Sequence, residues 1–341
     1  MVDVSIILPV RNEEKYIEET IYSLLQNLES FLSYELIVID GMSTDNTYQI
    51  IENLILKNNN ISLLRNPKKI VPCALNTGIK NSKGKYIVRV DSHSIFPENY
   101  IYNLINFMKK NIDISNVGCI CKTIPSNFSR KCLAISLAAS SIFGVGNSKM
   151  RTEKKKMSSS FVDTVPFGCY RRDIFEQIGL FDEELIRNQD DEFNARIIKN
   201  GGKIVLISSM ELKIYARKDY SSLFKMFYQY GLFKPLVNIK TGRLTSLRQL
   251  FPVINLIMSL LTIFGSILFN NTILLLLMLP YCIFLSIGSL FISKKNKRFD
   301  IINHILFTLL IMHLSYGLGY LRGLLNFFSG AEKLKDLETN R

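Results

Sequence analysis

The chain has 341 residues, room for two domains or for one domain with an appendage. Hydrophobic residues make up 48 % of it, and the long apolar runs lie after Gln249. The formal net charge of +13 would suit nucleic acid, but no zinc-finger spacing or RNA-binding sheet motif is present, so an anionic membrane surface is the better partner and no nucleic acid is expected.

The run 4–10 reads as a core strand with Pro9 at its end. It is too short for a signal peptide and has no basic flank, so the first domain is expected to stay in the cytoplasm. Asn12 is suited to cap the next helix, with Glu13 and Glu14 in its first turn and Ile17, Ile21, Leu24, Leu25 and Leu28 at helical spacing. A second strand, 35–40, ends in Asp40. The polar turn 41–47 follows, and Asp45 or Thr47 opens a helix to about Lys57. A short strand at 61–64 and a helix at 75–81 lead to Tyr86-Ile-Val-Arg-Val-Asp-Ser-His93, a buried strand that delivers Asp91 and His93 to its carboxyl end. Strands alternating with helices imply a parallel, doubly wound α/β sheet, whose ligands bind at the carboxyl ends of the strands. No G-x-G-x-x-G follows the first strand and there is no P-loop, which excludes an ordinary dinucleotide site. An Asp-x-His pair suits a divalent ion held against a diphosphate. An aspartate at a strand end is about as often a helix cap. The six cysteines (73, 119, 121, 132, 169 and 282) form no C-x-x-C pair and read as reduced packing residues.

Past residue 218 the chain changes character. Residues 219–248 interleave Lys225, Lys234, Lys240, Arg243 and Arg248 with Phe224, Phe227, Tyr228, Tyr230 and Phe233, as in a helix lying in the membrane interface with its apolar face down. Residues 249–327 then hold about three transmembrane spans, near 250–269, 272–292 and 301–321. Asn270-Asn271 joins the first two in a tight hairpin. The basic loop Ser293-Lys-Lys-Asn-Lys-Arg298 and the basic segment before the first span fall on one side, the cytoplasmic one by the positive-inside rule. Gly317, Gly319 and Gly323 read as a helix-packing face. The tail 328–341 is then expected outside.

Six stretches, taken together, resemble the successive motifs of the family 2 glycosyltransferases. They are Leu8-Pro-Val-Arg-Asn-Glu13, Val38-Ile-Asp-Gly-Met-Ser-Thr-Asp-Asn-Thr47, Ala74-Leu-Asn-Thr-Gly78, Val90-Asp-Ser-His93, Phe167-Gly-Cys-Tyr-Arg-Arg172 with Gly179-Leu-Phe-Asp-Glu183, and Gln189-Asp-Asp-Glu-Phe-x-x-Arg196. The match runs over about residues 4–218 and implies a domain 1–218 of the GT-A fold, the Rossmann-like fold of nucleotide-diphospho-sugar transferases. The Asp-x-His variant and the Phe-Gly-Val-Gly-Asn run at 143–147 resemble the succinoglycan-type, exopolysaccharide-building branch.

The resemblance implies a metal-dependent, inverting transfer of a sugar from a nucleotide sugar, most commonly a UDP-sugar. Pro9, Arg11, Glu13, Asp40, Asn76 and Asp91 would meet the donor. Asp91 and His93 would hold Mg²⁺ or Mn²⁺, the imidazole being the better ligand for Mn²⁺. Asp190 resembles the catalytic base; with Gln189 where the family has glutamate, Asp191 stays a second candidate. Each has a plainer reading: Asp40 as a turn-former, Glu13 as a first-turn acid, Asp45 and Thr47 as helix caps, Asp190 and Asp191 as acids favourable to a helix dipole. Processive members carry Gln-x-x-Arg-Trp before their channel helices, whereas this chain has no tryptophan and shows only Gln229-Tyr-Gly-Leu-Phe233 there. A single addition to a polyprenyl-diphosphate-linked saccharide is therefore expected, from a multi-pass protein of the cell membrane. Transfer to polyprenyl phosphate itself is the alternative, with Arg171, Arg172 and Arg196 as its phosphate contacts. A non-catalytic scaffold that binds nucleotide sugars is the third reading.

Overall fold

A computed structural model describes residues 2–28, 33–244 and 246–328. Strand β1 (Val4–Val10) is buried at every position but Pro9. A strand covered on both faces reads as a continuous apolar run, as this one does. On one side it pairs in parallel with β2 (Tyr34–Asp40), which pairs in parallel with β3 (Ile61–Arg65); on its other side lies β4 (Tyr86–Arg89), also parallel. Alternate residues serve opposite faces. Ile6, Leu8 and Val38 join one core with Ile17, Ile21 and Leu24 of α1 (Ile17–Leu28). Helix α2 (Thr47–Ile55) adds Ile51 and Leu54. On the other face Gly78 of α3 (Val71–Asn81) lies so close that a Cβ there would stand 2.6 Å from Ile7 and 2.9 Å from Ile39.

Helix α3 starts four residues earlier than expected. Pro72 sits in its first turn, where a missing N–H costs nothing.

Beyond β4 the expected all-parallel sheet gives way to antiparallel strands. Strand β5 (Ser94–Ile95), α4 (Tyr100–Lys110) and β6 (Ile114–Ile124) come first. The chain then passes through α5 (Arg130–Ala139), α6 (Ile142–Val145) and α7 (Lys149–Thr152) to β7 (Ser159–Phe161) and β8 (Cys169–Arg171). After α8 (Asp173–Ile178) and α9 (Gln189–Lys199) comes the long β9 (Lys203–Tyr215). The strand order is β3-β2-β1-β4-β8-β6-β9-β5, with β7 on β9. Strand β8 runs antiparallel to both β4 and β6. The order reverses between β1 and β4, and in such sheets the crevice at that reversal is where ligands bind.

The chain forms two compact units. Among the described residues, the first takes those up to Lys122 with Glu153–Ile214; the second takes Thr123–Thr152 with those from Tyr215 onward. Segment 123–152, expected within the domain 1–218, thus belongs with the C-terminal helices. The reason is apolar cover. Cys132, Ala134, Ile135 and Ala138 of α5 share a core with Ile305, Leu309 and Met312 of α13 (Ile302–Phe328).

In that second unit α10 (Tyr220–Thr241) opens on Asp219, whose carboxylate accepts the Ser222 N–H at 2.8 Å. Helix α10 buries Leu223, Phe227, Gly231, Leu232 and Phe233, and it lies backbone to backbone along α13. A Cβ on Gly231 would stand 2.1 Å from the Tyr316 carbonyl oxygen; on Gly319 it would stand 2.1 Å from that of Tyr228, and on Gly323 2.3 Å from that of Leu232. Much of the apolar face read as lipid-facing is therefore taken up by α13.

Helix α11 (Leu250–Leu268), a 3-10 stretch (Thr272–Met278) with α12 (Leu279–Asn296), and α13 make three stretches long and apolar enough to cross a membrane: Leu247–Leu268, Thr272–Asn296 and Phe299–Phe328. They match the expected spans to within a few residues, apart from a longer third. Helix α12 runs on through Lys294 and Lys295, cations that suit a helix C-terminus, before Lys297 closes it at φ 55°. All but the first residue of the tail 328–341 lies outside the described residues.

Candidate active site

Two loops at the carboxyl edge of the sheet are laced together. After β1, Asn12 turns left-handed at φ 56°, donates its N–H to Ser43 Oγ at 2.9 Å and accepts the Thr44 N–H at 2.8 Å. The Glu13 N–H reaches Thr47 Oγ1 at 2.7 Å, and the Glu14 N–H reaches Asp45 Oδ2 at 3.2 Å. Asn12 therefore does not cap α1, which begins only at Ile17; its amide ties the β1 loop to the β2 loop instead. Asp45 accepts the Thr47 N–H at 3.0 Å just ahead of α2, whose N-cap position is Asn46 and whose first residue is Thr47. Asp40, 2 % exposed, accepts both the Ser43 N–H (3.1 Å) and the Ser43 hydroxyl (2.5 Å), the bonds of a turn-forming aspartate. Pro9 stands opposite Ile39 in the ladder. Arg11 packs over Gly41 with its Nε buried and without a hydrogen-bond partner among the described residues. Glu13 is buried beside it in sequence.

The second half of the site comes from α9. Asn188 takes a left-handed conformation at φ 62° and turns the chain into the helix. Phe193 anchors its first turn against Phe181, Phe175 and Tyr170, with ring centroids 4.5, 5.1 and 5.6 Å away. Edge and stacked aromatic packing of this kind fixes a helix firmly. Asp190, Asp191 and Glu192 fill that turn, where acids suit the helix dipole.

Asp190 and Asp91 meet through one guanidinium. Arg89, on β4 and 8 % exposed, forms an ion pair with Asp190 Oδ2 through Nη1 and with Asp91 Oδ1 at 3.3 Å through Nη2. The other Asp190 oxygen is buried without a partner among the described residues. Burial pushes the Asp190 carboxyl up; the Arg89 charge opposes this, and Asp91 and Asp191 reinforce it, leaving the group above the ordinary carboxylate range. That is the direction a general base needs for use near neutral pH.

Asp91 and His93 lie just past β4, both partly buried. Among the described residues no three His, Cys, Asp or Glu side chains converge as a complete metal cage. The donor set fits a divalent ion of another kind. One carboxylate and one imidazole would supply two ligands, and the hydrogen bond between Arg89 and Asp91 uses Oδ1. Mg²⁺ and Mn²⁺ are usually held so, with substrate phosphates and water completing the shell.

The model of glycosyl transferase family 2 matches residues 5–179, just over half of the chain. This chain belongs to glycosyl transferase family 2. It is 31 % identical over 256 residues to a dolichyl N-acetyl-alpha-D-glucosaminyl phosphate 3-beta-D-2,3-diacetamido-2,3-dideoxy-beta-D-glucuronosyltransferase of Methanococcus voltae, covering 73 % of this chain and 77 % of that one. It is 28 % identical over 251 residues to the succinoglycan biosynthesis protein ExoA of Rhizobium meliloti, covering 73 % and 74 %. A mannosyltransferase of Pyrobaculum calidifontis, solved with GDP-Man and Mn²⁺, shares the fold with TM-score 0.58 at 14 % identity, over 95 % of this chain and 87 % of that one. The first unit thus has the GT-A fold of a family 2 glycosyltransferase, and three apolar helices follow it.

Four residues read as substrate contacts in this glycosyltransferase are spent elsewhere. The Asn76 amide donates to the Phe181 carbonyl (2.9 Å) and Glu183 (3.0 Å) and accepts the Phe181 N–H (3.0 Å), so it ties α3 to the loop before α9. Arg171 donates to the carbonyls of Ile114, Met108 and Asn111 at 2.5–3.0 Å, closing the end of α4. Arg172 donates to the Gly84 carbonyl and Ser82 Oγ. Arg196, six residues along α9 from Asp190, donates to the carbonyls of Ile178 and Leu180 and to Glu192. Guanidinium groups committed to carbonyls are poor phosphate clamps, because each donor moved to a phosphate strands a buried acceptor.

The Asn76–Glu183 contact carries a pH signature. Lys68 (2.6 Å), then Asn76 and Cys73, hold the Glu183 carboxyl down to about 2 from 4.5. A depressed carboxylate stabilises the fold above its unfolded pKa, and that contribution fades as pH falls from about 4.5 toward 2. Lys68→Met is expected to lower Tm modestly at neutral pH and to flatten the curve below about 4.5, so that variant and parent converge as pH falls toward 2; parallel curves would refute the assignment.

Arg89 had no role in the reading of the sequence. Its signal was there: a lone charge two residues before Asp91, inside a strand otherwise apolar from Tyr86 to Val90. Side chains at i and i+2 share a strand face.

Proposed function

We propose that this glycosyltransferase moves one sugar from a nucleoside-diphosphate sugar, with inversion, to a hydroxyl of a lipid-linked saccharide at the cytoplasmic face of the membrane. The observation that carries the reading is the pair of carboxylates, Asp91 and Asp190, drawn to one guanidinium at the sheet reversal. Pro9, Arg11 and Glu13 line the donor side, and Asp40 meets the nucleobase. Asp91 and His93 would hold Mn²⁺ or Mg²⁺, and such an ion would supply positive charge for the leaving diphosphate. Asp190 takes the proton of the acceptor hydroxyl as that oxygen bonds to the anomeric carbon. The bond from that carbon to the diphosphate breaks with its electron pair going to the diphosphate. A single displacement from the face opposite the leaving group inverts the centre, and no second nucleophile is needed.

A lipid-linked acceptor is supported by the name of the Methanococcus relative, and a role in exopolysaccharide or other surface-glycan assembly by that of the Rhizobium one. The three apolar helices support residence in the cell membrane. Lys294, Lys295, Lys297 and Arg298 between the second and third, with Lys240, Arg243 and Arg248 before the first, support a cytoplasmic catalytic unit. Transfer to polyprenyl phosphate itself loses support, because the three arginines it relied on are bound to backbone carbonyls and Glu192.

The test is a donor screen. The full chain in detergent is incubated with a panel of UDP- and GDP-sugars, Mn²⁺ or Mg²⁺, and a lipid extract. Nucleoside diphosphate release that needs the lipid, with an inverted product anomer by NMR, is expected. A retained anomer would overturn inversion. No turnover with any donor, despite nucleotide binding, would favour a scaffold.

A further inference from the structure

Arg89 is an odd residue to find on a central strand. It is fixed at both ends of its reach: its N–H donates to the Gly168 carbonyl at 3.1 Å, and its guanidinium lies 5.7 Å from the Phe167 ring and touches two carboxylates. Its Nε is buried without a partner among the described residues, so the two carboxylates are what hold the head group there. Arginine does not lose its proton, and its planar fork can serve two carboxylates at once. Two negative groups share one fixed positive charge.

We propose that Arg89 is a positioning residue that couples the cation side of the site to the base: it competes with a divalent cation for Asp91 and, displaced from there, serves Asp190 alone. The inference rests on the assignment of Asp91 and Asp190 given above. Its logic is charge balance. Without substrate, Arg89 shields Asp91 from Asp190, carboxylates that would otherwise repel each other in a partly buried site. A divalent cation on Asp91 repels the guanidinium and supplies that shielding itself. Arg89 then turns wholly to Asp190, which stays ionised and oriented toward the acceptor. Donor loading thereby readies the base, so that donor binds before acceptor.

The coupling predicts an effect that a merely structural arginine would not give. The full chain in detergent is titrated with Mn²⁺ in the presence of UDP, with free Mn²⁺ read by EPR. Arg89→Gln is expected to tighten Mn²⁺ about three- to tenfold, since a nearby positive charge and a competitor are removed, while kcat falls. Asp190→Asn leaves Arg89 to Asp91 alone, so it weakens Mn²⁺ several-fold; in the Arg89→Gln background the same substitution has little effect. Arg89→Lys keeps the charge on a group that serves one carboxylate at a time, and it recovers part of kcat with Mn²⁺ affinity between parent and Arg89→Gln. Unchanged or weaker Mn²⁺ binding in folded Arg89→Gln overturns the proposal, as does an Asp190→Asn effect of equal size in both backgrounds. If Arg89→Gln does not fold, the Asp190→Asn arm decides: unchanged Mn²⁺ affinity there is refutation. Asp91→Asn separates the two levels. If it leaves Mn²⁺ affinity intact, the assignment of Asp91 fails; if it abolishes Mn²⁺ binding while the Arg89 arms show no coupling, only the present inference fails.

Discussion

Asp190→Asn is expected to cut kcat by about a thousandfold, with UDP binding still measurable. General bases contribute roughly 10²–10⁴ in rate, and an amide of the same shape cannot take the acceptor proton. The substitution is nearly isosteric, so the aromatic packing of Phe193 that seats the helix stays in place. Asp191→Asn is the control. Asp191 shares the first turn of α9, but the Arg89 ion pair is with Asp190. Its loss should lower kcat no more than about tenfold, through the weakened field on its neighbour. Single-turnover measurements with saturating donor would separate the chemical step from product release. Equal losses at both positions would leave the base unassigned, and a larger loss at Asp191 would reverse the assignment.

Gly319→Val is expected to be the most damaging single change in the C-terminal unit. A Cβ at that position falls 2.1 Å from the Tyr228 carbonyl oxygen and 2.9 Å from its carbon, where backbone rather than a yielding side chain blocks it. Small residues at a helix–helix contact are what let two backbones approach this closely. Forcing the α10–α13 pair apart forfeits that contact along its length, at a cost of about 3 kcal/mol or more. The measurable result is loss of a single size-exclusion peak in detergent and early thermal unfolding. Gly265→Ala on α11 is the matched control, since its added methyl group would meet only Leu274, at an ordinary 3.6 Å. A Gly319→Val protein as stable as Gly265→Ala would show that the helices do not touch as described.

The strands that build the donor side were legible because each is an apolar run closed by a polar turn. So were the three apolar spans, whose length and lack of charge leave few alternatives. The antiparallel half was not. A three-residue strand such as β8 carries no period to read, and its place between β4 and β6 is set by pairing with residues more than fifty positions away. Asn76, Arg171, Arg172 and Arg196 bond to protein groups in a way that no motif announces. A motif gives the residue type, but nothing local says whether an amide or guanidinium turns to a ligand or to a stranded carbonyl. Arg89 was overlooked because its neighbours Asp91 and His93 drew the eye, while a buried charge in a core strand is itself a demand for a partner. Asp190 is 101 positions from that partner, a distance no spacing rule spans.

The path of residues 123–152 bears on how this enzyme is made. A ribosome releases α5 long before α13, so the small-residue face of Cys132, Ala134, Ile135 and Ala138 must wait, uncovered, until α13 has been made. Cutting the protein at residue 218 would leave that face permanently bare, which makes a truncated soluble form a poor surrogate for the intact enzyme.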